Sequence, residues 1–541
     1  MNKFIFISGG VCSSLGKGVA ASSLGALLEG RGLNVRMVKC DPYINVDAGT
    51  MNPYQHGEVY VTDDGAETDL DLGNYERFTS GRLSKANSVT TGQIYKSVIE
   101  KEREGRFLGR TIQVIPHITD EIKNRIMAVA KEDPDTDVVI VEIGGTVGDI
   151  ESIPFLEAAR QIIHEQERGN ALSVHLTLIP EIAGLELKTK PTQHSVKAMQ
   201  EQGIQPDVLI CRAPVMLDEA TIHKIASFTN VDFNAVFVSY DVKTTIYEMP
   251  LVFYEQKLDL VVLKKMGVES RHANLKNWRK MMEHLHARQG KVRIGIVGKY
   301  MELHDAYKSI YEALFHAGLA CAVEIDLVKV DSAAFEENEA ESTLGKNGAS
   351  PVDGILIPGG FGGRGTNGMI KAAAWARQNN VPYFGICLGM QIMVIEWARN
   401  ILKWEDADST EFTENTKHPV ISLLEEQIDV TNLGGTMRLG RSESIPHEGS
   451  KIFTAYKEKN IWERHRHRYE FANKYRAEMT NSGLIIGATT ADGALVESVE
   501  WPDHPWGVGV QFHPEFKSKP TAAHPLFCAF IAAVKEKILS S

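Results

Sequence analysis

Cys387 sits in the run Gly385-Ile386-Cys387-Leu388-Gly389, directly after the apolar stretch Pro382–Ile386 and before a stretch of helical period from Met390 to Ala398. A strand-to-helix turn with a glycine two residues either side of a cysteine has the form of a nucleophile elbow, in which small neighbours let a tight turn push the thiol outward. The start of the following helix favours thiolate over thiol and offers backbone N–H groups to an oxyanion. Such a cysteine needs a base and an orienting group. His513-Pro514-Glu515, at the end of the apolar run Val508–Phe512, carries both. Alone, the cysteine reads as a small core residue and His-Pro-Glu as a turn. In the order Cys, His, Glu, with an elbow around the first, they predict nucleophilic catalysis.

A second constellation opens the chain. Ser8-Gly9-Gly10-Val11-Cys12-Ser13-Ser14-Leu15-Gly16-Lys17-Gly18 follows the first apolar run and begins a helix. Glycine-rich backbone at a helix N-terminus makes an anion cradle, and Lys17 can reach outer phosphates. This is not a standard Walker A: the glycine spacing is longer by one, and Gly18 stands where Ser or Thr would touch Mg²⁺. Carboxylates from elsewhere must then hold a cation. Asp71, in the acidic stretch Asp63–Asp71, and Glu142, near the end of Val138–Ile143, are the candidates, because the carboxyl end of a parallel strand faces the ligand crevice. The plain alternatives are a structural glycine turn and two solvated surface acids.

The elements that must position these residues alternate between short β-branched runs and helical stretches. Strands are expected at Phe4–Ser8, Val35–Lys39, Ile112–Ile115, Val138–Ile143, Ser173–Ile179, Val208–Cys211 and Ala235–Ser239. Several are apolar on both faces, which suits a parallel sheet covered by helices. From Gly267 to Gly290, Leu275, Trp278, Met282 and Leu285 recur at helical steps and predict a connecting helix with one apolar stripe. The rhythm restarts with Val292–Val297, Ala322–Val330, Ile355–Pro358 and Tyr383–Ile386, and Glu336–Ser350 reads as a surface loop. At 541 residues the chain is too long for one core. The net charge of −12 argues against broad nucleic-acid binding, and six cysteines without metal-ligand spacing form no disulfide framework. The apolar start Phe4–Ile7 is too short for a signal peptide, and no run reaches membrane-spanning length, so a cytoplasmic protein without a membrane partner is expected.

With Pro358-Gly359-Gly360-Phe361-Gly362, the Cys387 and His513-Pro514-Glu515 segments resemble the class I (triad) glutamine amidotransferases. The resemblance implies that Cys387 attacks the side-chain amide of glutamine, with His513 as general base and acid and Glu515 orienting it. It implies oxyanion donors at Gly360 and Leu388, and glutamine-holding positions at Gly389, Met390, Gln391, Glu411 and Arg468. An Arg for the α-carboxylate and a Glu for the α-ammonium suit that ligand.

Longer runs narrow the match. Phe6–Gly18, Lys39–Asn45, Gly57–Gly65, Asp69–Gly73, Glu142–Glu151 and Lys188–Ser195 look like the CTP synthase family, in order and over nearly the whole chain. The implied fold is α/β: a P-loop-like doubly wound parallel-sheet synthetase domain, residues 1–266, a helical linker, 267–291, and a class I glutamine amidotransferase α/β domain, 292–541. Ser14, Leu15, Gly16, Lys17, Gly18 and Val19 with Asp71 would hold ATP, Asp71 and Glu142 the Mg²⁺, and Tyr240, Asp241 and Val242 the adenine. Ser13, Lys188, Thr189, Lys190, Pro191, Thr192, Gln193 and Lys224 would bind UTP, and Asp149, Ile150 and Glu151 the feedback inhibitor CTP. The family implies GTP activation through Gly298–Tyr300 and Asp305–Ser309, and a homotetramer. Two rivals stand beside this reading: the amidotransferases of cobalamin-precursor synthesis, which join similar domains but have no use for a UTP segment, and a catalytically silent filament subunit.

Overall fold

The structure is a computed structural model and describes residues 2–182, 186–337, 339–423 and 437–540. It divides into two compact units: 1–48 with 71–282, and 49–70 with 283–541. The second boundary falls inside the helix Lys276–His286.

The first unit is built on seven strands, β1 (Lys3–Gly9), β2 (Val35–Asp41), β3 (Ser88–Thr90), β4 (Val138–Ile143), β5 (Ala171–Leu178), β6 (Val208–Ala213) and β7 (Val236–Tyr240), in the order β7-β6-β5-β1-β4-β2-β3. Every neighbouring pair is parallel. Both faces are buried, which explains the unbroken apolar runs in β1 and β4. Phe4, Phe6, Val139 and Val141 pack on one face with Leu156 and Ile162 of the helix Ile153–Glu165. The helix Lys17–Gly30 lies against the other. There Gly25 allows close approach, since a Cβ on it would lie 3.3 Å from the Met37 sulfur.

Two expectations fail here for physical reasons. Ile112–Ile115 is no strand: Val114 and Ile115 are exposed, and Pro116 removes a ladder donor. The edge strand is instead the short polar β3, which its three residues could not announce. The connecting helix covers only Lys276–His286. Leu275, Trp278 and Leu285 are buried as expected, but Met281 rather than Met282 completes the stripe.

Among the described residues, the main sheet of the second unit has nine strands: β8 (Lys291–Gly298), β9 (Glu324–Asp331), β10 (Gly354–Ile357), β11 (Tyr383–Ile386), β12 (Arg438–Pro446), β13 (Ile461–His467), β14 (Ile485–Thr490), β15 (Val496–Glu500) and β16 (Gly507–Val510). Their order is β9-β8-β10-β11-β16-β15-β14-β12-β13. Pairing is parallel from β9 through β16 and antiparallel beyond. The region expected as a surface loop from Glu336 holds the short helix Ala340–Leu344, whose Leu344 is fully buried; residue 338 lies outside the described residues.

Residues 49–70 fold with this unit as an arm ending in a hairpin, Tyr60–Val61 paired with Glu67–Thr68. Its anchors are polar and directional. Arg464 reaches Asp63 Oδ1 at 2.6 Å and donates to the Tyr60 hydroxyl at 2.9 Å and the Val61 carbonyl at 3.1 Å. The Arg441 N–H donates to the Asp63 carbonyl at 2.8 Å, and the Ser309 N–H to Glu58 at 2.9 Å.

Leu27, fully buried on the helix Lys17–Gly30, tests the first core. Leu27→Ala is expected to cost about 2–5 kcal/mol, read as a lowered midpoint of the first unit's transition in chemical denaturation.

Candidate functional site

Cys387 joins β11 to the helix Leu388–Asn400 with φ 52° and ψ −101°, a left-handed conformation that a non-glycine residue holds only under strain. The neighbours make it feasible. A Cβ on Gly385 would lie 2.5 Å from the Gly389 backbone, and one on Gly389 would lie 2.1 Å from the Ile357 carbonyl oxygen. The turn therefore closes only around glycines, and the thiol projects into a cavity of about 280 Å³ shared with Gly360, Phe361, Arg468, His513 and Glu515.

His513 follows β16, the strand paired with β11, so sheet registry delivers base beside nucleophile. Its Nδ1 lies 2.7 Å from Glu515 Oε1, which fixes the ring, while Nε2 has no hydrogen-bond partner among the described residues. Burial disfavours the imidazolium, but the charges of Glu515 and Cys387 outweigh it and push His513 up to about 10. The glycine run Gly359–Gly360 passes close: a Cβ on Gly359 would lie 2.9 Å from the His513 ring and 3.6 Å from the Cys387 Cβ. A thiol, a charged imidazole and backbone N–H groups thus converge, the parts needed for acyl transfer through a tetrahedral oxyanion.

Of the expected glutamine-holding residues, Arg468 lines the cavity. Glu411 Oε1 accepts from the Gly362 N–H at 2.6 Å, and burial raises its carboxyl. Gln391 is buried and donates to the Tyr469 carbonyl at 3.1 Å, and Met390 packs inside the core. Gln511 was missed. Fully buried, it donates to the Cys387 sulfur at 3.7 Å, and the signal was available, since it is the one polar side chain in Val508–Phe512.

In the first unit all strand carboxyl ends share one edge, and the cradle forms there. Gly16 has φ 94°, where a side chain is strained, and a Cβ on Gly10 would lie 1.8 Å from the Ser195 hydroxyl. Ser13 and Ser14 are exposed, Leu15 is buried, and the Lys17 ammonium donates to the Gly145 carbonyl at 2.6 Å. A Cβ on Gly18 would lie 2.9 Å from Asp71 Oδ1 and 3.6 Å from Glu142 Oε2. The carboxylates occupy the room of the Walker hydroxyl, which gives the departure at Gly18 its physical reason.

The Lys39 ammonium, missed in the sequence, lies against Asp71, with Glu142 at 3.3 Å and Asp41 at 3.6 Å. Burial opposes its charge, but Asp71 and Glu142 prevail and raise it well above the ordinary value. Tyr75 donates to Glu142 Oε2 at 2.5 Å, and burial first of all raises the Glu142 carboxyl. Among the described residues no cluster of three or more His, Cys, Asp or Glu forms a ready metal cage. The Asp71 and Glu142 oxygens do fit a hard divalent cation, with Lys39 as the present counter-charge.

The remaining expected residues follow strand ends. Lys188 pairs with Glu186 at 2.5 Å, and Thr189 precedes the helix Lys190–Glu201. Thr192 bonds the Thr177 hydroxyl at 3.1 Å, Gln193 bonds Thr189 at 3.2 Å, and Lys224 lies on the helix Glu219–Thr229. Asp149, Ile150 and Glu151 are exposed after β4. Asp241 pairs with Arg212 beyond the end of β7, where Tyr240 and Val242 flank it.

Glu515 is the largest influence holding His513 protonated against burial. His513 is raised, so the ion pair stabilises the fold fully below the free imidazole value of about 6.5, and that contribution is lost as pH rises through about 10. Glu515→Gln is expected to move the basic limb of kcat/KM for glutamine hydrolysis to lower pH, checked by a pH–rate profile.

Residues 3–268 match the family model described as "CTP synthase N-terminus", and residues 302–533 match "Glutamine amidotransferase class-I". A CTP synthase of Hydrogenobaculum sp. is 54% identical over 532 residues, covering 98% of this chain and 97% of the relative. One of Clostridium acetobutylicum is 54% identical over 540 residues, covering 99% of each. A solved Trypanosoma brucei CTPS glutaminase domain with bound acivicin is 38% identical, covers 45% of this chain and 94% of its own, and has a TM-score of 0.42. With both halves matched and its relatives spanned almost end to end, the chain belongs to the CTP synthase family.

Proposed function

We propose that the chain aminates UTP to CTP with ATP, using ammonia from glutamine hydrolysed at Cys387. The observation that carries this is the strained Cys387 elbow beside the His513–Glu515 pair, in one chain with a phosphate cradle.

Cys387 attacks the glutamine amide while His513 holds the proton and then delivers it to the leaving ammonia. Glu515 keeps the imidazole in the right tautomer. The Gly360 and Leu388 N–H groups receive the oxyanion, and Arg468 and Glu411 grip the α-carboxylate and α-ammonium. In the other centre Ser14–Val19 bind the ATP phosphates, with Tyr240–Val242 at the adenine. Ser13, Lys188–Gln193 and Lys224 bind UTP as point charges and hydroxyls. The uracil O4 is a poor leaving group, so transfer of the γ-phosphoryl to it gives an ester that ammonia displaces. Mg²⁺ held by Asp71 and Glu142 would supply charge neutralisation on the phosphates when bound. Activation by GTP through Gly298–Tyr300 and Asp305–Ser309, feedback by CTP over Asp149–Glu151, and a homotetramer come with the family reading. Among the described residues no helix is long and apolar enough to cross a membrane.

Cys387→Ala is expected to abolish glutamine-dependent CTP formation while ammonium salts still support it, followed by cytosine absorbance; loss of both in a folded protein sinks the division of labour. Lys17→Ala is expected to lose CTP formation from both nitrogen sources, and retention of the ammonia-dependent rate removes the cradle assignment.

A further inference from the structure

The oxyanion loop reads Pro358-Gly359-Gly360-Phe361-Gly362-Gly363, so between the proline and Arg364 its one side chain is Phe361. Glycine backbone is loose unless fixed from outside. Beyond Gly360 the backbone is held by Lys299, which donates to the Phe361 carbonyl at 3.0 Å and to that of Gly362, and by Glu411 at the Gly362 N–H. The ring of Phe361 is held differently. The Arg466 guanidinium lies over it at 5.1 Å from the centroid, and that guanidinium is itself fixed by Glu67 Oε1 at 2.8 Å and the Gly49 carbonyl at 3.4 Å. A Cβ on Gly49 would lie 2.2 Å from Glu67 Oε2, so a side chain there would displace the carboxylate that braces Arg466. The backbone of Arg466 completes the link, its carbonyl oxygen standing 4.0 Å from the Cys387 sulfur. Glu67 and Gly49 belong to the arm, far from Cys387 in sequence.

We propose that Arg466 is a positioning residue for glutamine hydrolysis: braced by Glu67, it clamps the Phe361 ring and so aims the Gly360 N–H at the oxyanion. This rests on the glutaminase reading of Cys387. The clamp acts where charge develops in the transition state, so its loss lowers kcat more than it raises KM.

The test is glutamine hydrolysis by the full chain with UTP, ATP, GTP and Mg²⁺ present, comparing wild type with Arg466→Met, Arg466→Lys, Glu67→Gln and the Arg466→Met/Glu67→Gln double variant. Arg466→Met is expected to lower kcat by about 10- to 100-fold, the scale of a misplaced oxyanion donor, with KM for glutamine nearly unchanged. Alkylation of Cys387 by iodoacetamide, which needs no oxyanion donor, should proceed at the wild-type rate. Arg466→Lys keeps the charge but not the planar stack and should fall between. The double variant should be no worse than Arg466→Met, since both changes cut one link. Wild-type kcat in Arg466→Met, alkylation falling in step with kcat, or multiplying effects in the double variant would each overturn the clamp. If Arg466→Met does not fold, Glu67→Gln decides alone, and an unchanged kcat there sinks the proposal. A wild type that hydrolyses no glutamine brings down the glutaminase reading and the clamp together; an Arg466→Met variant as active as an active wild type removes only the clamp.

Discussion

The backbone of Cys387 is the constraint from which the second unit is arranged. At φ 52° and ψ −101° the residue stores strain, and the surrounding structure must over-determine it. Glycines at 385 and 389 clear the space, β11 and β16 pair so that His513 follows at the right edge, and Gly359 brings the loop within contact of both. Any relaxation at the turn would move thiol, imidazole and oxyanion donors apart together. The strain is thus the geometric reference against which the other groups are placed, and the buried Glu515 carboxylate keeps the imidazole charged where burial alone would neutralise it.

The first unit solves a different problem, holding dense charge with little solvent. Lys17 and Lys39 share an edge with Asp41, Asp71 and Glu142, and Tyr75 adds a hydroxyl to Glu142. Burial lowers the Lys17 ammonium and opposes that of Lys39, yet the carboxylates keep Lys39 firmly protonated. A buried charge with a hydrogen-bonded partner is tolerable where an isolated one is not. The cradle is therefore pre-charged.

Chemistry carried by consecutive residues was legible in the sequence. The elbow, His513-Pro514-Glu515 and the glycine cradle each announce themselves within a dozen positions, because turn geometry fixes which residue types fit. β1, β4 and β11 were equally plain, their apolar runs following from burial on both faces. What could not be read was built from distant pieces: the Lys39 cage and the arm. Ile112–Ile115 shows the converse error. A β-branched run resembles a strand until it meets a proline and finds no neighbour to pair with.

Strand β13 shows how one alternating pattern serves two purposes. In Arg464-His465-Arg466-His467-Arg468, the arginines at 464 and 466 face the arm, while His465 and His467 are buried with Glu497 and Glu470 nearby. The partners of Arg464 lie about four hundred positions earlier in the chain, at a separation of 401 for Asp63. A ribosome therefore releases the hairpin long before the strand that will receive it. Until residues 461–467 emerge, Tyr60, Val61 and Asp63 have no surface to settle on, so the nascent polypeptide carries a solvent-facing hook through most of its synthesis. The arm, residues 49–70, is thus made early and docks only once β13 has emerged.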